Sequence, residues 1–273
     1  MPTAFTDDLG VAHQVSETPR ILSLVPSITE LLFDLDLAAH LVGRTQYCIH
    51  PDEHVSSVPS VGGTKKINMT KVEALSPTHV IMNVDENPKS MADDLLGMGI
   101  DVITTHPMQP DDNVRLYHLI GDIFNREDQA ARLAVDYQSA RDAIGVVDTG
   151  PAKRVLYLIW QNPWMAVSAD TYVANTLALV NWQALTPGMI DGQSGDAARY
   201  PKIEITSETL EDIDLILFSS EPYSFTKDDI DAFQSSYPDH AHKAHIIDGE
   251  MTSWYGSRAI RGLRYLRTFA ATL

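Results

Sequence analysis

Cysteine is nearly absent. Cys48 stands alone among 273 residues, so no disulfide forms within the chain and pairing says nothing of the redox compartment. Basic residues are scarce: 20 Lys and Arg face 37 Asp and Glu, a formal charge of −17. A nucleic-acid or anionic-membrane partner needs a basic face, and this balance argues against both. No run of about 18 apolar residues occurs, so no membrane span is expected. The opening residues, Met-Pro-Thr-Ala-Phe-Thr-Asp-Asp-Leu-Gly, lack a basic n-region, an apolar h-region and a lipobox-like cysteine. As written, the sequence predicts a cytoplasmic protein, or a periplasmic one if a signal was removed or replaced. Enzyme signatures are missing too: no Gly-x-x-x-x-Gly-Lys, no Gly-x-Gly-x-x-Gly, no Gly-x-Ser-x-Gly.

What is present is a soluble globular composition, 44% hydrophobic and 21% charged. Near the middle, Asn125 to Val147 reads as one long helix. Asn125 suits an N-cap, and Glu127 and Asp128 place negative charge in the first turn. Ala130, Leu133, Tyr137, Ala140, Ile144 and Val147 then form one apolar stripe. Roughly 20 helical residues at ~1.5 Å each span about 30 Å, the width of a small domain.

The segments on either side alternate strand and helix. Arg20–Val25 predicts a buried strand, with Ser27-Ile-Thr-Glu30 as a capping box for the helix that follows. Lys153–Trp160 opens the second half with a strong strand signal, and Thr226 is placed to cap a later helix. Thr45–Gly63, Leu185–Arg199 and Gly249–Tyr255 read as loops. Both halves share an order of elements. The pattern predicts α/β architecture with mostly parallel sheets: two Rossmann-like lobes, residues 1–124 and 150–273, bridged by a helix over 125–149. In such sheets ligands meet the loops after the carboxyl ends of the strands, here in a cleft between the lobes.

Those loops hold the candidate chemistry. Trp160, Trp164, Tyr223, Phe225, Trp254 and Tyr255 cluster at or after strand ends. Indoles and phenols together suit a large, flat, partly apolar ligand. Arg199-Tyr200 and Arg258 offer guanidinium groups for a carboxylate or phosphate. Cys48 and His50, with His54 and His106, form a weak metal-ligating pattern. Glu86 and Glu221 would make a carboxylate pair if the scaffold were an enzyme.

Arg20-Ile-Leu-Ser-Leu-Val-Pro-Ser-Ile-Thr-Glu30, Leu41-Val-Gly, Val61-Gly-Gly and Lys71-Val-Glu-Ala-Leu-Ser-Pro77 together resemble the binding proteins of cobalamin and ferric-siderophore ABC importers. The likeness runs from about Arg20 to Leu273 and is closest to cobalamin-binding members. It implies two α/β lobes bridged by one long helix, recognition without catalysis, no required cofactor, and a monomer. The implied ligand is a corrinoid first, a ferric siderophore or haem second. It would be held by Tyr47, His50, Glu86, Trp160, Trp164, Arg199, Tyr200, Tyr223, Trp254, Tyr255 and Arg258. The resemblance further implies a permease partner docked through one glutamate on each lobe. Thr70 and Thr206 occupy those positions here, with Glu73, Glu204 and Glu208 nearby. Two other classes compete: a cytoplasmic enzyme using Glu86, Glu221 or His106, and a metal-ion carrier or sensor using Cys48 and His50.

Overall fold

The computed structural model describes residues 4–145 and 150–273. Val147 and the last residues of the expected 125–149 helix lie outside them. The chain divides into two compact units. One holds the described residues of Met1–Pro107, Asp111–Ser139 and Tyr255–Arg258; the other those of Met108–Pro110, Ala140–Trp254 and Ala259–Leu273.

In the first unit an antiparallel hairpin, β1 (Ala4–Thr6) and β2 (Ala12–Gln14), precedes β3 (Ile21–Ser23), α1 (Pro26–Asp34), β4 (Leu41–Arg44), α2 (Asp52–Val55), α3 (Met69–Leu75), β5 (His79–Asn83), α4 (Lys89–Gly97), β6 (Asp101–Thr105) and α5 (Asp112–Ile123). The sheet runs β4-β3-β5-β6, every pairing parallel. Every residue of β3 and β5 is buried, so their centres, Ile21-Leu22 and Val80-Ile81-Met82, are continuous apolar stretches rather than alternating ones. Leu22, Leu24, Val80, Met82, Leu95 and Val102 form the core beneath. The hairpin covers the free edge of β6. Asp8 N donates to Thr104 O at 3.1 Å, and Thr104 N donates to Asp7 Oδ2 at 2.9 Å. Backbone groups that would otherwise be open to another strand are thereby satisfied.

The expected capping box at Ser27 does not form. The helix starts two residues earlier, with Pro26 in its first turn and Val25 as an N-cap without a side-chain bond. Glu30 is buried and bound instead by Arg258, whose Nε donates to Oε2 at 2.6 Å and Nη2 to Oε1 at 3.1 Å. A tertiary ion pair outcompetes the local cap.

The long helix, α6 (Glu127–Ile144), begins after Asn125 rather than at it. Asn125 has φ 54° and ends α5: Arg126 N donates to Gly121 O at 2.7 Å, the six-to-one bond of a Schellman turn. Ala130, Tyr137, Ala140 and Ile144 are buried and Leu133 is half-buried, as the stripe predicts.

The second unit contains β7 (Lys153–Trp160), β8 (Met165–Ala166), α7 (Tyr172–Ala178), β9 (Trp182–Ala184), α8 (Asp196–Arg199), α9 (Ser207–Glu211), β10 (Leu215–Ser219), α10 (Lys227–Ser236), β11 (Ala244–Ile247), α11 (Gly249–Ser253) and α12 (Arg258–Ala270), whose first residue belongs to the first unit. Its sheet runs β11-β10-β7-β8, with β9 also on β7; only β8 is antiparallel. Thr226 caps α10 with a reciprocal box to Asp229, as the sequence indicates. Gly249–Tyr255 is not a plain loop: Asp248 caps α11 by accepting from Met251 N at 3.1 Å.

Candidate functional site

Each unit presents its own strand-end loops. In the first, the loop after β4 carries Tyr47, which is 54% exposed, and Ile49 beside it is equally open. A Cβ on Gly63 would lie 3.2 Å from Tyr47 Cε2, so glycine there lets the ring lie against the backbone. His50 Nδ1 is 3.0 Å from Asp52 Oδ1. After β5, Asp85 Oδ1 is 3.5 Å from His106 Nε2, which follows β6, and Lys65 Nζ donates to Asp85 O at 2.7 Å. Burial pushes the Glu86 carboxyl up; nearby Lys65 pulls it down and Asp85 pushes it up again. This wall offers an exposed phenol, an imidazole beside a carboxylate, and a carboxyl raised by burial.

Cys48 is not in that wall. It is fully buried, with Thr29 Oγ1 donating to Sγ at 3.0 Å and Thr45 Oγ1 3.1 Å away. Burial pushes its thiol up, against the thiolate that metal binding needs. Among the described residues, no group of three or more His, Cys, Asp or Glu side chains is placed to hold a metal ion. The geometry works against the Cys48/His50 carrier reading. His54 stacks on Phe33, with ring centroids 6.4 Å apart.

In the second unit the aromatics divide into two sets. Trp160, at the end of β7, is 40% exposed and meets Tyr223 edge-on at 5.5 Å. Gln161 Nε2 donates to the Tyr223 hydroxyl and, at 2.7 Å, to Asp229 Oδ1, fixing that ring's position. Trp164, by contrast, stacks on Phe225 at 6.0 Å and packs against the cluster of Phe218 and Phe233. Phe225 is buried there too. Trp254 is 8% exposed; its Nε1 donates to Glu221 Oε1 at 2.6 Å, and Ser253 Oγ donates to the same oxygen at 2.8 Å. Trp164 and Trp254 shape the wall from behind, while Trp160 and Tyr223 form its surface.

The guanidinium groups separate in the same way. Arg258 is buried and paired with Glu30, which leaves it little surface to offer a ligand. Tyr255, three residues earlier, is also buried. Arg199 is half-buried: Nε donates to Asp170 O at 2.9 Å, Nη2 lies 3.1 Å from Met108 Sδ, and its carbon sits 5.7 Å from the Tyr200 ring centroid. Glu221, one half of the expected carboxylate pair, is an acceptor for Trp254 and Ser253 and belongs to a different unit from Glu86. Lys65, Gln161 and the hydrogen-bonding role of Glu221 were not foreseen. Only Lys65 left a signal, in the Gly-Gly-Thr-Lys-Lys turn after β4.

Parallel sheets whose carboxyl-end loops carry exposed rings and a few polar groups define a solute-binding class of α/β protein. The chain belongs to the periplasmic binding protein family, which it matches over residues 21–242. It is 30% identical over 92 residues to the vitamin B12-binding protein of Yersinia pestis (strain Pestoides F). That stretch is 34% of this chain and 32% of the relative, so the match spans about a third of the relative's length. Among solved structures it resembles the periplasmic vitamin B12 binding protein of Vibrio cholerae, with TM-score 0.76 and 15% identity over 94% of this chain and 98% of that one. It also resembles the periplasmic heme-binding protein of Roseiflexus sp. RS-1, with TM-score 0.74 and 18% identity over 93% of this chain and 98% of that one. At these identities the structural likeness establishes the fold: mixed α/β with parallel sheets.

Proposed function

We propose that this protein captures a metal-chelate ligand for an ABC importer, a corrinoid first and a ferric siderophore or haem second, and that it does so without catalysis. The observation that carries the reading is the family match together with exposed rings at the strand ends, Tyr47 and Trp160. The vitamin B12 named for the Yersinia relative and the heme named for the Roseiflexus structure support that ligand class. In this reading Tyr47, Trp160 and Tyr223 supply stacking area, Arg199 and Tyr200 take a peripheral carboxylate or phosphate, and His50, Glu86 or His106 approaches the polar rim or the metal. Trp164, Trp254 and Tyr255 hold the wall in shape.

The periplasmic relatives favour the periplasmic placement over the cytoplasmic one. The division into 1–124, 125–149 and 150–273, the monomeric state and the permease partner belong to the same proposal. Thr70 is exposed in the first turn of α3, as a docking position requires, but carries no charge. Thr206 instead caps α9, accepting from Thr209 N at 3.2 Å. Exposed Glu73, Glu204 and Glu208 lie close by in sequence.

The test is a visible absorption spectrum of the purified protein with cyanocobalamin, hemin and a ferric siderophore in turn, followed by gel filtration. Colour that co-elutes with a shifted band supports the reading and selects the ligand. No retained colour with any of the three overturns it.

A further inference from the structure

Two buried asparagines stand at the carboxyl end of the first unit's sheet. Asn83 is the last residue of β5, and Asn87 lies four residues on, just before α4; they are 3% and 6% exposed. The direction of each amide is fixed by its partners, because a backbone N–H only donates and a carbonyl only accepts. Asn87 Oδ1 accepts from Asn83 N at 2.9 Å, and its Nδ2 donates to Leu24 O at 3.2 Å and to Thr64 O at 2.9 Å. Asn83 Oδ1 accepts from Asp85 N at 2.8 Å and from Glu86 N at 3.3 Å, and its Nδ2 donates to Thr105 Oγ1 at 3.4 Å. Asn87 N returns a bond to Asn83 O at 3.0 Å and closes the turn.

These bonds reach every strand of that sheet. Leu24 follows β3, Thr64 belongs to the loop after β4, Asn83 ends β5 and Thr105 ends β6. Thr105 Oγ1 spends its own proton on Met82 O at 3.0 Å, so it is free to accept from Asn83. Only an amide fits position 87. An apolar side chain would withdraw both donors from the two carbonyls, and a carboxylate would turn an acceptor toward them. Three polar groups of the strand-end wall depend on this frame. Asp85 and Glu86 are held through their amides, and Lys65, next to Thr64 in the chain, donates to Asp85 O at 2.7 Å.

We propose that Asn83 and Asn87 are positioning residues for the candidate site: their two buried amides hold Lys65, Asp85 and Glu86 in one arrangement before any ligand arrives. A buried polar network whose partners are matched rigidifies the segments it joins. Little conformational freedom is then left for these loops to lose on binding, which raises affinity without a new contact. Both amides act through the groups they fix rather than by touching ligand. The inference rests on the reading of this wall as a ligand surface.

The test compares the full-length wild type with Asn87→Ala and with Leu95→Ala, a variant in the core of the same unit. Amide hydrogen exchange is read at Asp85 and Glu86, whose bonds go to Asn83 and not to the substituted residue. Asn87→Ala is expected to lower protection at both by about tenfold or more, while Ile120, buried inside α5, holds. Leu95→Ala is expected to lower the urea midpoint and leave both amides unchanged. Affinity for whichever of cyanocobalamin, hemin or a ferric siderophore the wild type retains should fall about tenfold or more in Asn87→Ala and hold in Leu95→Ala. Unchanged protection or unchanged affinity in Asn87→Ala, or equal losses in the two variants, overturns the positioning role. If the wild type retains none of the three, the proposed function fails, and exchange at Asp85 and Glu86 alone decides whether Asn87 positions them. If Asn87→Ala does not fold, the side-chain amide protons of wild-type Asn87 decide: slow exchange supports the role, and exchange at the rate of a free amide overturns it.

Discussion

At the scale of single residues, two tryptophans four positions apart have different work. Trp160 shows its ring to solvent and leans on Tyr223, whereas Trp164 is locked among Phe218, Phe225 and Phe233. Trp160→Ala should therefore change stability by about 1 kcal/mol or less, as surface truncations do, while abolishing retention of the coloured ligand. Trp164→Ala should cost about 1–3 kcal/mol by stripping a half-buried ring from the cluster it packs on, so its effect on binding would come with a loss of stability. Urea unfolding beside ligand retention separates the two; equal stability of both variants would contradict the division. Glu30 and Arg258 are a second case. Removing one partner strands a buried charge, so Arg258→Met should cost about 3–5 kcal/mol in the same assay, and the double Glu30→Met/Arg258→Met variant should recover part of it. Glu86 supplies a pH signature. Burial raises its carboxyl, so the folded state binds that proton more tightly than the unfolded chain. Its contribution is most favourable below the ordinary carboxylate range and declines as pH rises through the raised value. Glu86→Gln should melt above wild type at neutral pH and converge with it in acid. Parallel melting curves across that range would place the carboxyl in water instead.

At the scale of elements, legibility follows where the deciding interaction lies. The Thr226 box and the Asn68 cap of α3 are local, and both helices could be read from sequence. Glu30 and Asn125 carry the same local signals, but their fates are set by distant groups: Arg258 claims the first, and the α5–α6 turn claims the second. α2 and α11 are only 4 and 5 residues long, too short for a periodic signal, so both segments read as loops. The strand-end loops are legible as the candidate site because parallel sheets gather their loops there. Which rings face outward was not, because Trp160 and Trp164 share composition, loop and spacing; only packing tells them apart. Helix contacts make a prediction at this scale. A Cβ on Gly121 would meet Ala130 Cβ and, at 3.0 Å, Arg126 O, where α5 turns into α6. Gly121→Val should cost about 1–3 kcal/mol by overpacking that corner, read as a lowered urea midpoint at unchanged slope.

At the scale of the whole molecule, neither unit is one stretch of chain. Tyr255–Arg258, near the end of the sequence, belong to the first unit, whose other segments end at Ser139. These four residues are bound firmly there. Tyr117 OH donates to Gly256 O at 2.9 Å, Gly256 N donates to Asn113 Oδ1 at 2.6 Å, and Arg258 holds Glu30. A fragment ending at residue 139 would keep the complete β4-β3-β5-β6 sheet. It would nonetheless lose the bonds that Tyr117 and Asn113 make to Gly256 and the ion pair that Glu30 makes to Arg258. Two lost buried hydrogen bonds at about 1–3 kcal/mol each and a broken buried ion pair at about 3–5 kcal/mol are comparable with the whole stability of a domain, about 5–15 kcal/mol. The fragment is expected to show strand and helix signals in far-UV circular dichroism without a cooperative urea transition. The same fragment with Glu30→Met removes the largest penalty and should regain a measurable part of the transition. A fully cooperative transition in the unmodified fragment would mean that the late segment decorates the first unit rather than completing it.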